Sequence, residues 1–419
     1  MTTKQSGPPP IQPPPLVLNP VSTISLESPS LTAEQRYRGT LFLCLAVGLV
    51  SMTMTIQMAL NANFLREDIG VNGLQMGQIE AARESCGILA FFILALLAGI
   101  AEPLIASAVL LFVAAGLGAY AFVPQSYLFV LGLSMIWSQG LHIWMPLPNS
   151  IALGLAEPGK TGRKLGILAT SGAIGAFVGL GVAMFMEHMG VHMRKTYLIA
   201  GAAAVLAAGA CLGIPRNTKA RRPRLALRRG TALYFVLCFL EGWRKQVFLA
   251  FSAFLLVSVY EMPVMTMLTL WAIAQVIITF CGPLVGRVID RVGERKVLYT
   301  YYASMLVVFI GYAFAPWIWP DESVRRMALY VLFVIDGSFF ILGMAMTTFV
   351  NRVVPPEERT ATLSAGVAMN HVAAVSMPFI GGILWQYGSM WTFLIGAVAA
   401  VASLVAVGFV PRREVASSQ

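Results

Sequence analysis

GPLVGRVIDRVGERK, residues 282–296, joins two apolar runs that are each long enough to cross a bilayer. Gly286 and Gly293 suit a tight turn between helices, and Asp290 can receive a neighbouring helix N-terminus or an arginine. Arg291, Arg295 and Lys296 complete a basic connection of the kind that collects on the cytoplasmic face of membrane proteins.

The rest of the chain agrees with that setting. Over 419 residues it is 58% hydrophobic and 11% charged, against soluble averages of about 45 to 50% and about 25%. Integral membrane protein is the class this implies. A hydrocarbon core of about 30 Å takes roughly 20 helical residues to cross, and the apolar runs divide into twelve spans, from 39–61 to 391–410. The second, 74–98, and the seventh, 231–259, are interrupted by charge.

Residues 1–38 hold eight prolines and no apolar segment ahead of a cleavage site, so this tail is expected to be disordered, cytoplasmic and not a signal peptide. Of 29 Lys and Arg, 21 fall on the face shared with both termini, five on the other and three inside spans. That asymmetry places both termini in the cytoplasm of a cell inner (plasma) membrane. It also accounts for most of the +10 net charge without a nucleic-acid partner. The run Arg221, Arg222, Arg224, Arg228 and Arg229 can additionally touch anionic lipid headgroups. The five cysteines all lie in apolar spans without ligand-like spacing, which suits packing rather than disulfides or metal.

The longest cytoplasmic connection, 215–230, divides the spans into bundles at 39–214 and 231–411, followed by a short tail, 412–419. RKLGILATSGAIGA from Arg163 and RTATLSAGVAMNHV from Arg359 each open a small-residue helix after a Pro-containing loop, so the fifth and eleventh spans correspond.

With these features the 282–296 stretch resembles the G-x-L-x-D-R-x-G-R-K signature of the major facilitator superfamily. The resemblance covers the chain from about residue 39. It implies an all-α membrane protein of twelve transmembrane helices in two pseudo-symmetric six-helix bundles. It also implies a cytoplasmic gating role for Gly286, Asp290, Arg291, Gly293, Arg295 and Lys296. In the first half the corresponding stretch reads AGIAEP, residues 98–103. Ala98 and Glu102 there replace the glycine and the aspartate, and Pro103 ends the match before any basic residue. The fifth span also lacks the proline of the family's antiporter signature.

Six charges lie deep in apolar spans: Arg83, Glu84, Glu241, Arg244, Lys245 and Asp336. At about 2.5 to 3.5 kcal/mol each at the bilayer centre, six unpaired charges would cost roughly 15 to 20 kcal/mol. That is more than the ~5 to 15 kcal/mol net stability of an ordinary domain. They must pair or face water. Glu241 is spaced three from Arg244 and four from Lys245, so both cations can reach it on one helical face, and Glu80 stands in the same relation to Arg83 and Glu84. With Asn370 and His371 these six form the candidate substrate and proton-coupling set. The fold implied by the resemblance puts their helices around a central cavity.

Glu84, Glu241 and Asp336 are candidates for carrying a proton, and His371 for joining a relay. Structural ion pairs are the alternative for each, and Arg244 and Lys245 can instead bind an anionic solute group. His142, followed by Pro146 and Pro148, reads as marking a helix kink. Trp137, Trp144, Trp243 and Trp271 are candidates for the cavity wall or for the lipid interface. Met54 with Met58, and Met189 with Met193 beside His188, have copper-like spacing but read as ordinary apolar positions. No metal, cofactor or enzyme constellation is expected.

The reading is a monomeric secondary active permease for a small, in one reading anionic, solute, with H+ as the expected coupling ion. An uncoupled facilitator, a drug or metabolite exporter, and a transport-inactive sensor or assembly subunit remain open alternatives.

Overall fold

The computed structural model describes residues 31–157, 159–217 and 231–411, and among these the chain is helical with no strand. The first half holds α1 (Ala33–Asn63), α2 (Gly73–Leu96), α3 (Glu102–Ala119), α4 (Tyr127–Trp144), α5 (Leu147–Leu155), α6 (Thr161–His188) and α7 (Met193–Leu212). The second holds α8 (Ala232–Gln246), α9 (Ala253–Ser258), α10 (Val264–Val292), α11 (Glu294–Ala313), α12 (Ala315–Ile318), α13 (Glu322–Phe339), α14 (Met344–Val353), α15 (Pro356–Trp385) and α16 (Ser389–Val407). Wide π-type turns continue α1 through Phe64–Asp68 and join α8 to α9 through Val247–Ser252.

Ten helical stretches among the described residues are long and apolar enough to cross a membrane. The two remaining expected spans are α2 and the α8–α9 stretch. Each carries three charges in its middle, Glu80, Arg83 and Glu84 in one and Glu241, Arg244 and Lys245 in the other. Polarity alone sets them apart, so these two helices need protein neighbours where the others can take lipid.

Two expectations are corrected. α1 starts at Ala33, inside the stretch assigned to the tail. Thr32 and Gln35 form a reciprocal capping box there, satisfying backbone N–H groups at the helix start, and Arg36 donates to the Ala156 carbonyl oxygen at 2.8 Å. The 282–296 connection is mostly helix, because α10 runs to Val292 and the turn is confined to Gly293, at φ 83°. The Pro-rich segment 1–30, most of the 215–230 linker and the 412–419 tail lie outside the described residues.

Buried apolar side chains gather in two clusters, one drawn mainly from α1–α7 and one mainly from α8–α16. They interlock at one end, where Ala62 joins the second cluster and Phe254, Val264 and Leu268 join the first. There Asn63 Nδ2 donates to the Met262 carbonyl oxygen at 3.1 Å. α2 and α15 pack antiparallel, with the start of α2 and the finish of α15 at this end, and meet at Gly77 and Gly382. A Cβ on Gly382 would lie 3.0 Å from the Leu74 carbonyl oxygen and 3.1 Å from the Gly77 Cα. Only glycine lets the two backbones approach this far. Gly77→Val is therefore expected to cost about 1 to 3 kcal/mol through overpacking, lowering the thermal unfolding midpoint of the purified protein. Gly181→Val, where an added Cβ meets nothing within 4 Å, should leave the midpoint unchanged.

Candidate functional site

Between the two clusters lies a cavity of about 380 Å³ that takes its walls from α1, α2, α4, α8, α10 and α15. Glu80, Arg83, Glu84, His142, Lys245 and His371 give it polar character. A second hollow of about 260 Å³ shares His142, Met145 and His371 with it and continues between α2 and α15. A larger hollow of about 500 Å³ between α10 and α13 is lined by apolar residues, two threonines and Tyr330, without a charged group. The chemistry is in the central one.

On α2, Arg83 is one helical turn from Glu80 and pairs with it closely. Its Nη2 stands 3.4 Å from Glu84 Oε1, and its guanidinium lies over the Trp137 ring at 5.2 Å. That leaves Glu84 Oε2 turned towards two imidazoles, 3.3 Å from His371 Nδ1 and 3.8 Å from His142 Nε2. The rings meet edge to face with centroids 5.1 Å apart. His142 Nδ1 lies 2.8 Å from the Ser138 carbonyl oxygen, and a carbonyl oxygen can only accept, so Nδ1 carries a proton and Nε2 is the nitrogen that faces Glu84. Glu84 and His142 come from the first half and His371 from the second.

A second cluster sits behind the cavity wall. Arg244, fully buried, donates to Glu241 at 2.8 and 3.3 Å and stands 3.8 Å from Asp336 Oδ1. It also bonds the Tyr301 hydroxyl closely and lies between the Tyr301 and Phe340 rings at 4.7 and 4.9 Å. Tyr301 donates to Glu241 at 2.9 Å. Ser252, in the wide turn after α8, reaches Asp336 Oδ2 at 3.4 Å. In both clusters two carboxylates share one guanidinium, so with neutral imidazoles each carries one excess negative charge when all its acids are ionised.

The structure brings together Arg83, Glu84 and His371 in one group, and Glu241, Arg244 and Asp336 in the other. Lys245 is a correction: it does not pair with Glu241, whose acceptors Arg244 and Tyr301 occupy, and instead lines the cavity with no ion pair or hydrogen bond among the described residues. Asn370 lies outside the cavity wall and donates to the Cys238 carbonyl oxygen of α8 at 3.3 Å. His142 is a second correction, because it joins the charged group as well as standing beside the break that Pro146 makes between α4 and α5. Of the four tryptophans only Trp271 is in the cavity wall.

At the far end of the halves, Glu294 in the first turn of α11 pairs with Arg352 of α14 at 3.3 Å. In the first half, Glu102 in the first turn of α3 accepts from Ser150 of α5 at 2.8 Å. The altered AGIAEP stretch thus holds a carboxylate contact to α5. In the other half Arg295 lies 5.7 Å over the Tyr299 ring.

A helical membrane protein with a polar cavity between two packed clusters is the architecture of a carrier. The profile of the Major Facilitator Superfamily matches residues 43–365, and the chain belongs to that family of transporters. No curated protein sequence matches it. Among solved structures, the nucleoside transporter NupG superposes with a TM-score of 0.70 at 15% identity, covering 88% of this chain and 97% of that one. A crystal structure of a D-xylose-proton symporter gives 0.66 at 16%, covering 90% and 98%. A bacterial homologue of the human lysosomal transporter Spinster, inward-facing and unoccupied, gives 0.64 at 14%, covering 91% and 96%. At these identities the likeness is one of fold.

Proposed function

We propose that the chain is a proton-coupled secondary transporter of a small polar solute with an anionic group, in which α1–α7 rock against α8–α16 around the central cavity. The observation that carries this reading is the cavity itself, bounded by both halves and lined by Lys245, which makes no ion pair or hydrogen bond among the described residues. The ammonium is half-buried, and an anionic group on a solute would supply it with a direct, charge-assisted partner. The shared carboxylates provide for coupling: one proton removes the excess charge of either cluster. A nucleoside transporter and a D-xylose-proton symporter among the structural neighbours support a small polar cargo.

The end at which the two clusters interlock holds the connections poorest in Lys and Arg, so it faces away from the cytoplasm in this reading. In the same reading the chain has cytoplasmic termini and works as a monomer in the plasma membrane. Its basic linker would lie against anionic lipid headgroups.

Screening small solutes for thermal stabilisation of the purified protein identifies the cargo. Lys245→Ala should then weaken binding of the stabilising solute about ten- to hundredfold, the loss of one charge-assisted contact, while leaving the unfolding midpoint of the solute-free protein in place. Unchanged affinity would remove Lys245 from the site and with it the anionic class.

A further inference from the structure

We infer that Glu84, His142 and His371 form a binding site for a divalent transition-metal ion of the zinc type, set between the two halves. Each offers one ligand atom, and the three atoms lie within 4.8 Å of one another. Ligand atoms around a tetrahedral zinc, at 2.0 to 2.1 Å from the ion, stand about 3.3 Å apart. Glu84 Oε2 and His371 Nδ1 are 3.3 Å apart already, and Glu84 Oε2 and His142 Nε2 are 3.8 Å apart. The third edge, between the two imidazole nitrogens, is no longer than 4.8 Å.

Three further observations bear on a ligand. His142 donates Nδ1–H to the Ser138 carbonyl oxygen, the outer hydrogen bond that ordinarily fixes a metal-binding imidazole in the tautomer with Nε2 free. His371 Nδ1 is buried with no hydrogen-bond partner, although Glu84 Oε2 is near. Arg83 is engaged with Glu80 and the Oε1 side of Glu84, which leaves Oε2 for a cation and an excess negative charge for it to offset. Two imidazoles and one carboxylate are a donor set for zinc, cobalt or nickel rather than for magnesium or calcium. His142 and His371 border both hollows, so an ion has an approach and a fourth position is open to water or solute.

Because His371 is on α15 and the other two ligands on α2 and α4, a bound ion would staple the halves in this conformation. That consequence rests on the alternating-access reading above, whereas binding itself does not.

The test is calorimetric titration of Zn²⁺ into the full-length, untagged, chelator-stripped protein, with Co²⁺ absorption as a second readout. One site per chain and the visible band of four-coordinate cobalt are expected. His142→Ala, His371→Gln and Glu84→Gln should each weaken Zn²⁺ at least tenfold, while His188→Ala and His192→Ala, the other two of the four histidines, leave it unchanged. Unfolding midpoints of the metal-free variants check folding, and His371→Gln carries the test alone where His142→Ala does not fold. No saturable uptake, or affinity that survives both histidine substitutions, overturns the site. Since no solute is present, that result would leave the transport reading untouched.

Discussion

Arg244→Ala is expected to destabilise the protein by about 3 to 5 kcal/mol, the cost of removing one partner from a buried ion pair. The guanidinium is fully buried and touches Glu241, Asp336, Tyr301 and two aromatic faces. Its removal leaves the buried Asp336 and the largely buried Glu241 without their cation and opens a cavity beside Tyr301 and Phe340. Arg244→Lys should recover little, because an ammonium cannot reproduce the forked contact with Glu241 or the stacking. Neutralising the stranded acids should help more: Arg244→Met combined with Glu241→Gln and Asp336→Asn is expected to melt well above Arg244→Ala. Thermal unfolding in detergent, with size-exclusion profiles for monodispersity, measures all of these. A single variant that melts with the wild type would mean that the cluster is solvated.

How much of that cluster can be read from the chain depends on which link is local. Glu241 and Arg244 are three apart on a helix, so their pairing follows from helical geometry. Asp336 stands out because a carboxylate does not stay in an apolar run without a partner. That its partner is Arg244, and that Tyr301 closes the group, depends on how α8, α11 and α13 pack, which no spacing encodes. Lys245 shows the limit from the other side. Position i+4 permits contact with Glu241, but Arg244 and Tyr301 bond its two oxygens and the ammonium lines the cavity instead.

His142 was hidden by its neighbourhood. A histidine just before Pro146 and Pro148 fits a kinked helix, and the kink is there, yet the side chain one turn after Ser138 points across to another half of the molecule. The early start of α1 was legible in Thr32 and Gln35, whose spacing is that of a capping box. The helical 282–292 stretch follows from length: α10 has 29 residues, and at 1.5 Å each it rises well beyond a 30 Å hydrocarbon core. Membership of the family was legible from the same stretch, since turn, acid and basic residues survive whether the backbone before Gly293 is loop or helix.

Glu84→Gln is expected to abolish uphill transport while leaving exchange intact. The glutamine keeps the shape of the side chain and its place between Arg83 and the two histidines, but it can neither bind a proton nor carry the charge that a proton removes. With one proton moved per solute, a gradient of one pH unit, worth about 1.4 kcal/mol, supports a roughly tenfold accumulation. Proteoliposomes that are acidic outside should therefore concentrate the solute about tenfold with the wild-type protein and bring it only to equal concentration with Glu84→Gln. Uptake by the wild type should rise as the outside is acidified, because protonation precedes inward release. Counterflow between preloaded solute and tracer needs no net proton movement and should persist in the variant. Asp336→Asn separates the two clusters: accumulation lost there and kept in Glu84→Gln would place the coupling proton beside Arg244. Full accumulation in both variants would mean that neither carboxylate carries it, and that proton coupling does not run through these sites.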